Sequence, residues 1–520
     1  MADLLKYPIG IQYFPDIIEG GYTYIDKTGY IRTLLDGSKY YFLSRPRRFG
    51  KSLFVSTLES FFQGRGELFK GLAIDTPDTV WEERPVITIS LNTIDPHSED
   101  ALRKHLSSIF REYEKKFDIE DNDDDLSSRF TRILRIAFEN TGKKVAVLID
   151  EYDGPILDTL EMEELNNSFR MTLKSIFSVL KSADKYIHFA FVTGISRFSH
   201  TSLFSGANNL EDISLLDEFA GICGITEQEL QSDFMTGIGN FAERKGITPD
   251  AMLALLKENY DGYHFTERCP DIYNPFSLLC ALKQKKISDF WFRAGTPSFL
   301  INALRRDDFF LPELDCIEVT ESDLSAKESY LNNPVSLLFE SGYVTIRHFD
   351  EERETFTLGL PNKEVAESFS KALLPVYSGM SVTTFRNSFM KMRNAILDGN
   401  ADLFMQLLKT FLQGNPYGNT RMAERETYFK NNIYLIFKAL GFMPRSEEQT
   451  CNARMDVMLR TPRFIYIFEL KTNGSVDKAM NQIDERSYSA PYMDERRRII
   501  RIAANYSTKI NNIDSWEIQE

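Results

Sequence analysis

Tyr40–Ser52, YYFLSRPRRFGKS, sets four apolar residues, a basic loop and a Gly-Lys-Ser triplet side by side. The apolar run Tyr40 to Leu43 has strand character, and LFVSTLESFF after Ser52 has the apolar spacing of a helix. A strand, a tight loop and a helix in that order make an anion site, because loop amides and the first N–H groups of the helix point outward unsatisfied. Lys51 would reach the β/γ-phosphates of a nucleotide, and the Ser52 hydroxyl would ligate Mg²⁺. ATP is the expected ligand, with Arg45, Pro46, Arg47, Arg48, Phe49, Gly50, Lys51 and Ser52 as its expected contacts. The pattern departs from GxxxxGK[ST] at its first position, where Arg45 stands in place of glycine. Arginine takes positive φ only at a cost, so the front of the loop is expected to turn differently, with help from Pro46.

Three further strands follow from buried-strand composition. VITISLN after Pro85 is the first. KKVAVLIDEYD at 143–153 runs from Val145 to Ile149 into two carboxylates, the form of a buried parallel strand with acid at its carboxyl end. Asp150 would hold the magnesium hydration shell and Glu151 would polarise the attacking water. YIHFAFVTGISRFS at 186–199 ends another buried strand at Thr193-Gly194. Ligands of such sheets sit outside the carboxyl ends of the strands. Thr193, Ser196 and Arg197 are therefore expected to face the γ-phosphate, with Arg197 as the transition-state arginine. The alternation predicts a doubly wound parallel α/β sheet.

Composition sets outer bounds. A length of 520 residues allows several domains, and 42% hydrophobic content is ordinary for packed cores. No apolar run approaches the length of a membrane span, and MADLLKYPIG lacks the apolar core of a signal peptide. Cys223, Cys269, Cys280, Cys316 and Cys451 show no CxxC spacing, which predicts neither a zinc site nor a disulfide framework and points to the cytoplasm. The net charge of −15 argues against indiscriminate binding to nucleic acid or to anionic membrane, while RPRR at 45–48 and ERRRIIR at 495–501 leave room for local basic paths. DIEDNDDD at 118–125 reads as a solvated loop between helices.

Residues 211–330 read as a helical region, punctuated by NYDGYHF and YNPFSLLCAL. Over 331–375, helix, strand, acidic turn, strand and helix suggest a winged-helix-like module. Residues 376–420 read as a helical linker ending in GNPYGNT. The last hundred residues form a separate unit. Asp456 sits on its first strand, and Glu469 and Lys471 sit on its second. Two residues apart on a strand, Glu469 and Lys471 share a face. Asp456 and Glu469 could hold Mg²⁺, or Mn²⁺ in its place, while Lys471 stabilises charge on a phosphate. Gln482 and Glu426, on flanking helices, are within reach of the same pocket. Phe464, Tyr466 and Phe468 alternate with Ile465 and Ile467, so both faces of this strand are expected to be buried.

GGYTYIDKT, YYFLSRPRRFGKSLF, VLIDEYD, FVTGISRFS and NNLEDISLL resemble, in order and spacing, the AAA-ATPase-like proteins common in gut Bacteroidetes and other anaerobes. DVMLRTPRFIYIFELKTNGSVDKAMNQID resembles their C-terminal PD-(D/E)XK nuclease-superfamily domain. The resemblance implies a P-loop ATPase-like domain over 1–210 and a restriction-endonuclease-like α/β domain over 421–520. It assigns Gly50, Lys51 and Ser52 to Walker A, Asp150 and Glu151 to Walker B, and Asp456, Glu469 and Lys471 to the nuclease signature, with Gln482 accessory. Asp26 and Lys27 match an N-terminal family motif whose role the sequence does not explain. The implied function is an ATP-dependent switch with a metal-dependent nuclease domain acting on nucleic acid, in defence against foreign DNA. The alternative is a nucleotide-gated scaffold whose nuclease-like domain only binds. ATP and nucleic acid are the implied partners, no membrane is involved, and a homo-oligomer is left open.

Overall fold

The computed structural model describes residues 5–92, 94–120, 124–197, 209–294, 298–306, 309–324, 334–378, 382–413, 422–442, 456–485 and 496–520. The chain forms two compact units, Met1–Asp307 with Val319–Asn362, and Asp308–Glu318 with Lys363–Glu520. Among the described residues no helix is long and apolar enough to cross a membrane.

The first unit is built on a five-stranded sheet of β1 (Tyr40–Ser44), β2 (Val86–Ser90), β3 (Val145–Asp150), β4 (Ile187–Gly194) and β5 (Glu211–Asp212), in the order β2-β3-β4-β1-β5. Every pairing is parallel. All residues of β1 and β3 are buried, as expected of strands covered on both faces. The order places β4 between the loop strand β1 and the acid strand β3, with Ser44 paired to Gly194 and Ile149 to Val192. All three carboxyl ends therefore open onto one edge, where ligands of such sheets bind. At the outer edge, the Thr88 N–H donates to the Tyr113 hydroxyl (2.7 Å) and His105 Nε2 lies 2.8 Å from the Ser90 carbonyl. These side chains satisfy the exposed strand groups of β2 that could otherwise template another chain.

The acidic run 118–125 does connect two helices, Ala101–Lys116 and Leu126–Thr141. Its last member has a job of its own: the Asp125 carboxylate accepts the Ser127 and Ser128 N–H groups as an N-cap, and the hydroxyls of the same two serines, ahead of those amides, pull its pKa down to about 2. After β5 come short strands β6 (Ile225–Thr226) and β7 (Ile272–Tyr273) and the helices Glu227–Lys245, Pro249–Tyr260 and Pro275–Gln284. Leu230, Phe234, Ile238, Phe241, Met252, Leu256 and Leu278 share their core. The strand β8 (Ile317–Thr320) runs across a boundary between the units.

The helix Pro334–Glu340 and the antiparallel hairpin of β9 (Thr345–Asp350) and β10 (Thr355–Gly359) follow. The helix that completes the winged-helix pattern, Lys363–Ser378, lies beyond the division at 362/363, so hairpin and closing helix are split between the units.

The second unit holds a four-stranded sheet of β11 (Asp456–Arg460), β12 (Phe464–Thr472), β13 (Arg498–Ser507) and β14 (Asn512–Gln519), in sequence order. The central pair β12–β13 is parallel and the outer pairs are antiparallel. Ile465, Ile467 and Ala503 pack under the helix Val476–Glu485 through Ala479, Met480 and Ile483. On the opposite face Phe468 meets Phe404 and Phe437, and the Tyr466 hydroxyl donates to the Ile396 carbonyl. Both faces of β12 are buried. One expectation fails: Cys316 is disulfide-bonded, whereas Cys223, Cys269 and Cys280 are free.

Candidate functional site

At the carboxyl end of β1 the loop reaches the helix Lys51–Phe62 through Gly50, whose φ is +100°. A Cβ at Gly50 would meet nothing within 4 Å, so glycine is required by conformation and not by space. The Lys51 side chain is 6% exposed and folds back over the loop, donating to the carbonyls of Arg45 (2.8 Å) and Pro46 (3.0 Å). Burial lowers its pKa, and Asp150 is the strongest influence holding it up. Asp150 stands at the end of β3. Burial raises its pKa, opposed first by the nearby Ser52 hydroxyl and then by Lys51. Glu151, half-buried, takes φ +52° and donates its N–H to Asp150 Oδ1 at 3.0 Å. A non-glycine residue there costs about 1–3 kcal/mol and is characteristic of functional turns. Burial, then repulsion from Asp150, raises its pKa. A hydroxyl, a buried carboxylate and an ammonium thus meet at one strand edge. These are hard oxygen donors suited to Mg²⁺ beside a phosphate.

The basic residues before Gly50 behave differently from the sequence reading. Arg45 is 1% exposed, and its guanidinium donates to the carbonyls of Ser44, Ser214 and Phe219 and lies over the Phe265 ring at 4.4 Å. Its N–H donates to the Gly194 carbonyl. Both the amide and the side chain are therefore spent on the protein and not on the loop cavity. Positive φ falls at Arg48 and Gly50, not at Arg45, which is why position 45 does without glycine. Arg48 lies over Phe276 at 4.0 Å, and Phe49 is buried between Tyr263 and Phe265. Trp291 Nε1 donates to the Arg47 carbonyl at 3.3 Å, and Pro46 lies against Gly342.

The end of β4 also differs. The Thr193 hydroxyl donates to the Leu43 carbonyl across the sheet, and Ser196 donates to Asp153, so neither faces outward to a phosphate. Arg197, 4% exposed, pairs with Asp212 through Nε (3.1 Å) and NH2 (3.0 Å), while its NH1 is buried without a hydrogen-bond partner. Asp153, the last acid of DEYD, went unassigned in the sequence reading. It is 1% exposed and accepts the N–H groups of Ile195 (2.9 Å) and Ser196 (2.6 Å). A Cβ on Gly194 would come 2.5 Å from Asp153 Oδ1, so the glycine lets the carboxylate approach the strand end. The third carboxylate of an Asp-Glu-x-Asp run was its only sequence signal.

Asp26 and Lys27 are braces. Asp26 accepts the Thr28 and Ala73 N–H groups, and Lys27 Nζ lies 2.6 Å from Glu229, which also closes the capping box with Thr226.

In the second unit Glu469, Lys471 and Gln482 come together. Glu469 is 3% exposed, its Oε1 accepts from Lys471 Nζ at 2.6 Å, and the same ammonium donates to Gln482 Oε1. Two oxygens already converge on one cationic centre, a donor chemistry that suits Mg²⁺ or Mn²⁺. The backbone of Asp456 stands opposite Glu469 in the β11–β12 register; the side chains of Asp456 and Glu426 lie outside the described residues. Arg498 pairs with Phe464, whereas Glu469 pairs with Ala503. The Arg463/Arg498 end of the sheet is thus about 17 Å along the strand from Glu469. Arg463 pairs with Asp398 and Arg498 with Glu520.

Residues 8–204 match a family described as a predicted AAA-ATPase, and residues 424–516 match the PD-(D/E)XK nuclease superfamily. A protein of Azotobacter chroococcum mcd 1, named "Uncharacterized protein in vnfD 5'region", is 33% identical over 524 residues, covering 99% of each chain.

Proposed function

Because the chain belongs to the AAA-ATPase-like family with a C-terminal PD-(D/E)XK nuclease-superfamily domain, we propose that it is an ATP-hydrolysing switch coupled to a metal-dependent nuclease acting on nucleic acid. The observation that carries this reading is the convergence of the buried Lys51 and of Ser52, from the first turn of the helix after β1, with Asp150 at the end of β3. Lys51 leaves its two carbonyl partners to bind the β/γ-phosphates. Ser52 and Asp150 would hold Mg²⁺, which would supply charge neutralisation at the phosphates. Glu151 orients and polarises the attacking water, its raised pKa making it a better base, and Arg197 offers its unpartnered NH1 to developing charge. In the second unit Glu469, with Asp456, would hold the divalent ion, and Lys471 would steady the scissile phosphate. The test is Glu151→Gln. It retains ATP and loses turnover by roughly two or more orders of magnitude, the range for acid–base groups. Wild-type turnover in that variant removes Glu151 from the mechanism.

A further inference from the structure

Arg197 is held from a part of the chain that no motif marks. Its backbone N–H donates to Glu340 Oε1 at 2.8 Å, across a separation of 143 residues. Glu340 is 3% exposed and sits in the last turn of the helix Pro334–Glu340, where the helix dipole disfavours negative charge and burial adds to the cost. A carboxylate kept there against both costs needs a specific reason. The residues that follow touch the other side of the same site. A Cβ on Gly342, at φ +82°, would lie 2.8 Å from Pro46 of the phosphate loop. Tyr343 packs at a tilt against Trp291, ring centroids 5.2 Å apart, and Trp291 in turn holds the Arg47 carbonyl. One short segment, 340–343, therefore grips the turn after β4 and the loop after β1, and it leads directly into the β9–β10 hairpin.

We infer that Glu340 is a positioning residue for Arg197, and that ATP hydrolysis depends on the seating of the 340–343 segment and its hairpin. The inference rests on the hydrolase reading above. Asp153 fixes Ile195 and Ser196, Asp212 fixes the guanidinium, and Glu340 fixes the amide of Arg197 itself. With all three in place the unpartnered NH1 has one direction. Anything that lifts the hairpin withdraws Glu340 and lets Arg197 drift from the reacting phosphate, so the same contact makes hydrolysis sensitive to whatever the hairpin meets.

The test is steady-state ATP hydrolysis by the full-length chain carrying Glu340→Ala, Glu340→Gln, Arg197→Ala, and Arg197→Ala with Glu340→Ala. Glu340→Ala lowers kcat on the order of 10²-fold, the scale of a misplaced reacting group, and leaves the KM for ATP unchanged. Glu340→Gln keeps an acceptor oxygen and restores most of the rate. On the Arg197→Ala background Glu340→Ala adds nothing, because both act through one group. Full turnover in a folded Glu340→Ala protein, additive losses in the double variant, or a raised KM with unchanged kcat would overturn the inference and leave the hydrolase reading standing. If Glu340→Ala does not fold, Glu340→Asp decides: its shortened side chain withdraws the acceptor oxygen and lowers kcat at unchanged KM, whereas unchanged kcat in a folded Glu340→Asp protein overturns the inference. A wild-type chain that binds ATP without turnover overturns both.

Discussion

Arg45 shows how a residue can keep a motif's place while changing its task. Sequence placed it among the phosphate contacts because it occupies the first Walker A position, yet its donors reach the carbonyls of Ser44, Ser214 and Phe219. Lys51, Ser52 and Asp150 were legible because their chemistry is local to a strand–loop–helix or a strand end. The partners of Arg45, Arg197 and Asp153 were not, because they come from positions that only the fold brings together. Asp261, in the NYDGYHF turn, is another such residue. It is buried beside Lys257 (3.7 Å), with Asp271, Glu227 and Tyr273 also facing it, and burial pushes its pKa up to about 7. Its ordinary value is 3.8, so the folded state holds the proton more tightly than the unfolded chain. This stability is full below about pH 4 and is lost as pH rises through 7, by up to about 4 kcal/mol. The raised His264 acts in the same direction. Asp261→Asn should flatten the fall in Tm between pH 5 and 8 and make the variant the more stable protein at pH 8. An unchanged Tm–pH slope would assign that dependence elsewhere.

The strands were the most legible elements. YYFLS, VAVLID and IHFAFVTG each read as buried runs ending in polar chemistry, and each is a parallel strand with its carboxyl end at the candidate site. Their order in the sheet was not legible, since apolar runs carry no record of their neighbours. The alternation along β12 correctly gave two buried faces, and the spacing of Glu469 and Lys471 correctly put them in contact. It could not show that Arg498 pairs with Phe464 at the far end of the strand, because register is set by the partner. The site on β12 makes a chemical prediction. EDTA, Asp456→Ala, Glu469→Ala and Lys471→Ala should each stop Mg²⁺- or Mn²⁺-dependent cleavage of DNA or RNA. Mn²⁺ binding, followed by electron spin resonance, should survive only in Lys471→Ala, because an ammonium is no ligand. Substrate binding that persists through all three substitutions, with no cutting by the wild type in any nucleotide state, would favour a module that binds without cleaving. Gly342→Ala places strain at φ +82° and a methyl against Pro46, so it should weaken ATP binding without touching a phosphate ligand. Unaltered ATP affinity in that variant would show that the loop does not feel the segment.

For the whole molecule, a net charge of −15 means that a polyanion must approach through local cations. Binding of nucleic acid should therefore weaken steeply with salt, as counterion release requires; affinity that is flat from 50 to 200 mM salt, the range over which that loss is usually seen, would point to a protein partner instead. If the proposed switch couples the two domains, cleavage should differ between ADP and a non-hydrolysable ATP analogue. Equal cleavage in both would leave two independent activities. All of this depends on the phosphate loop binding ATP through Lys51. Isothermal titration calorimetry of ATP·Mg²⁺ against the wild type and a folded Lys51→Ala variant tests that most directly. A saturable wild-type isotherm, with the heat lost in the variant, is the predicted result. Equal affinity in the two proteins would contradict it.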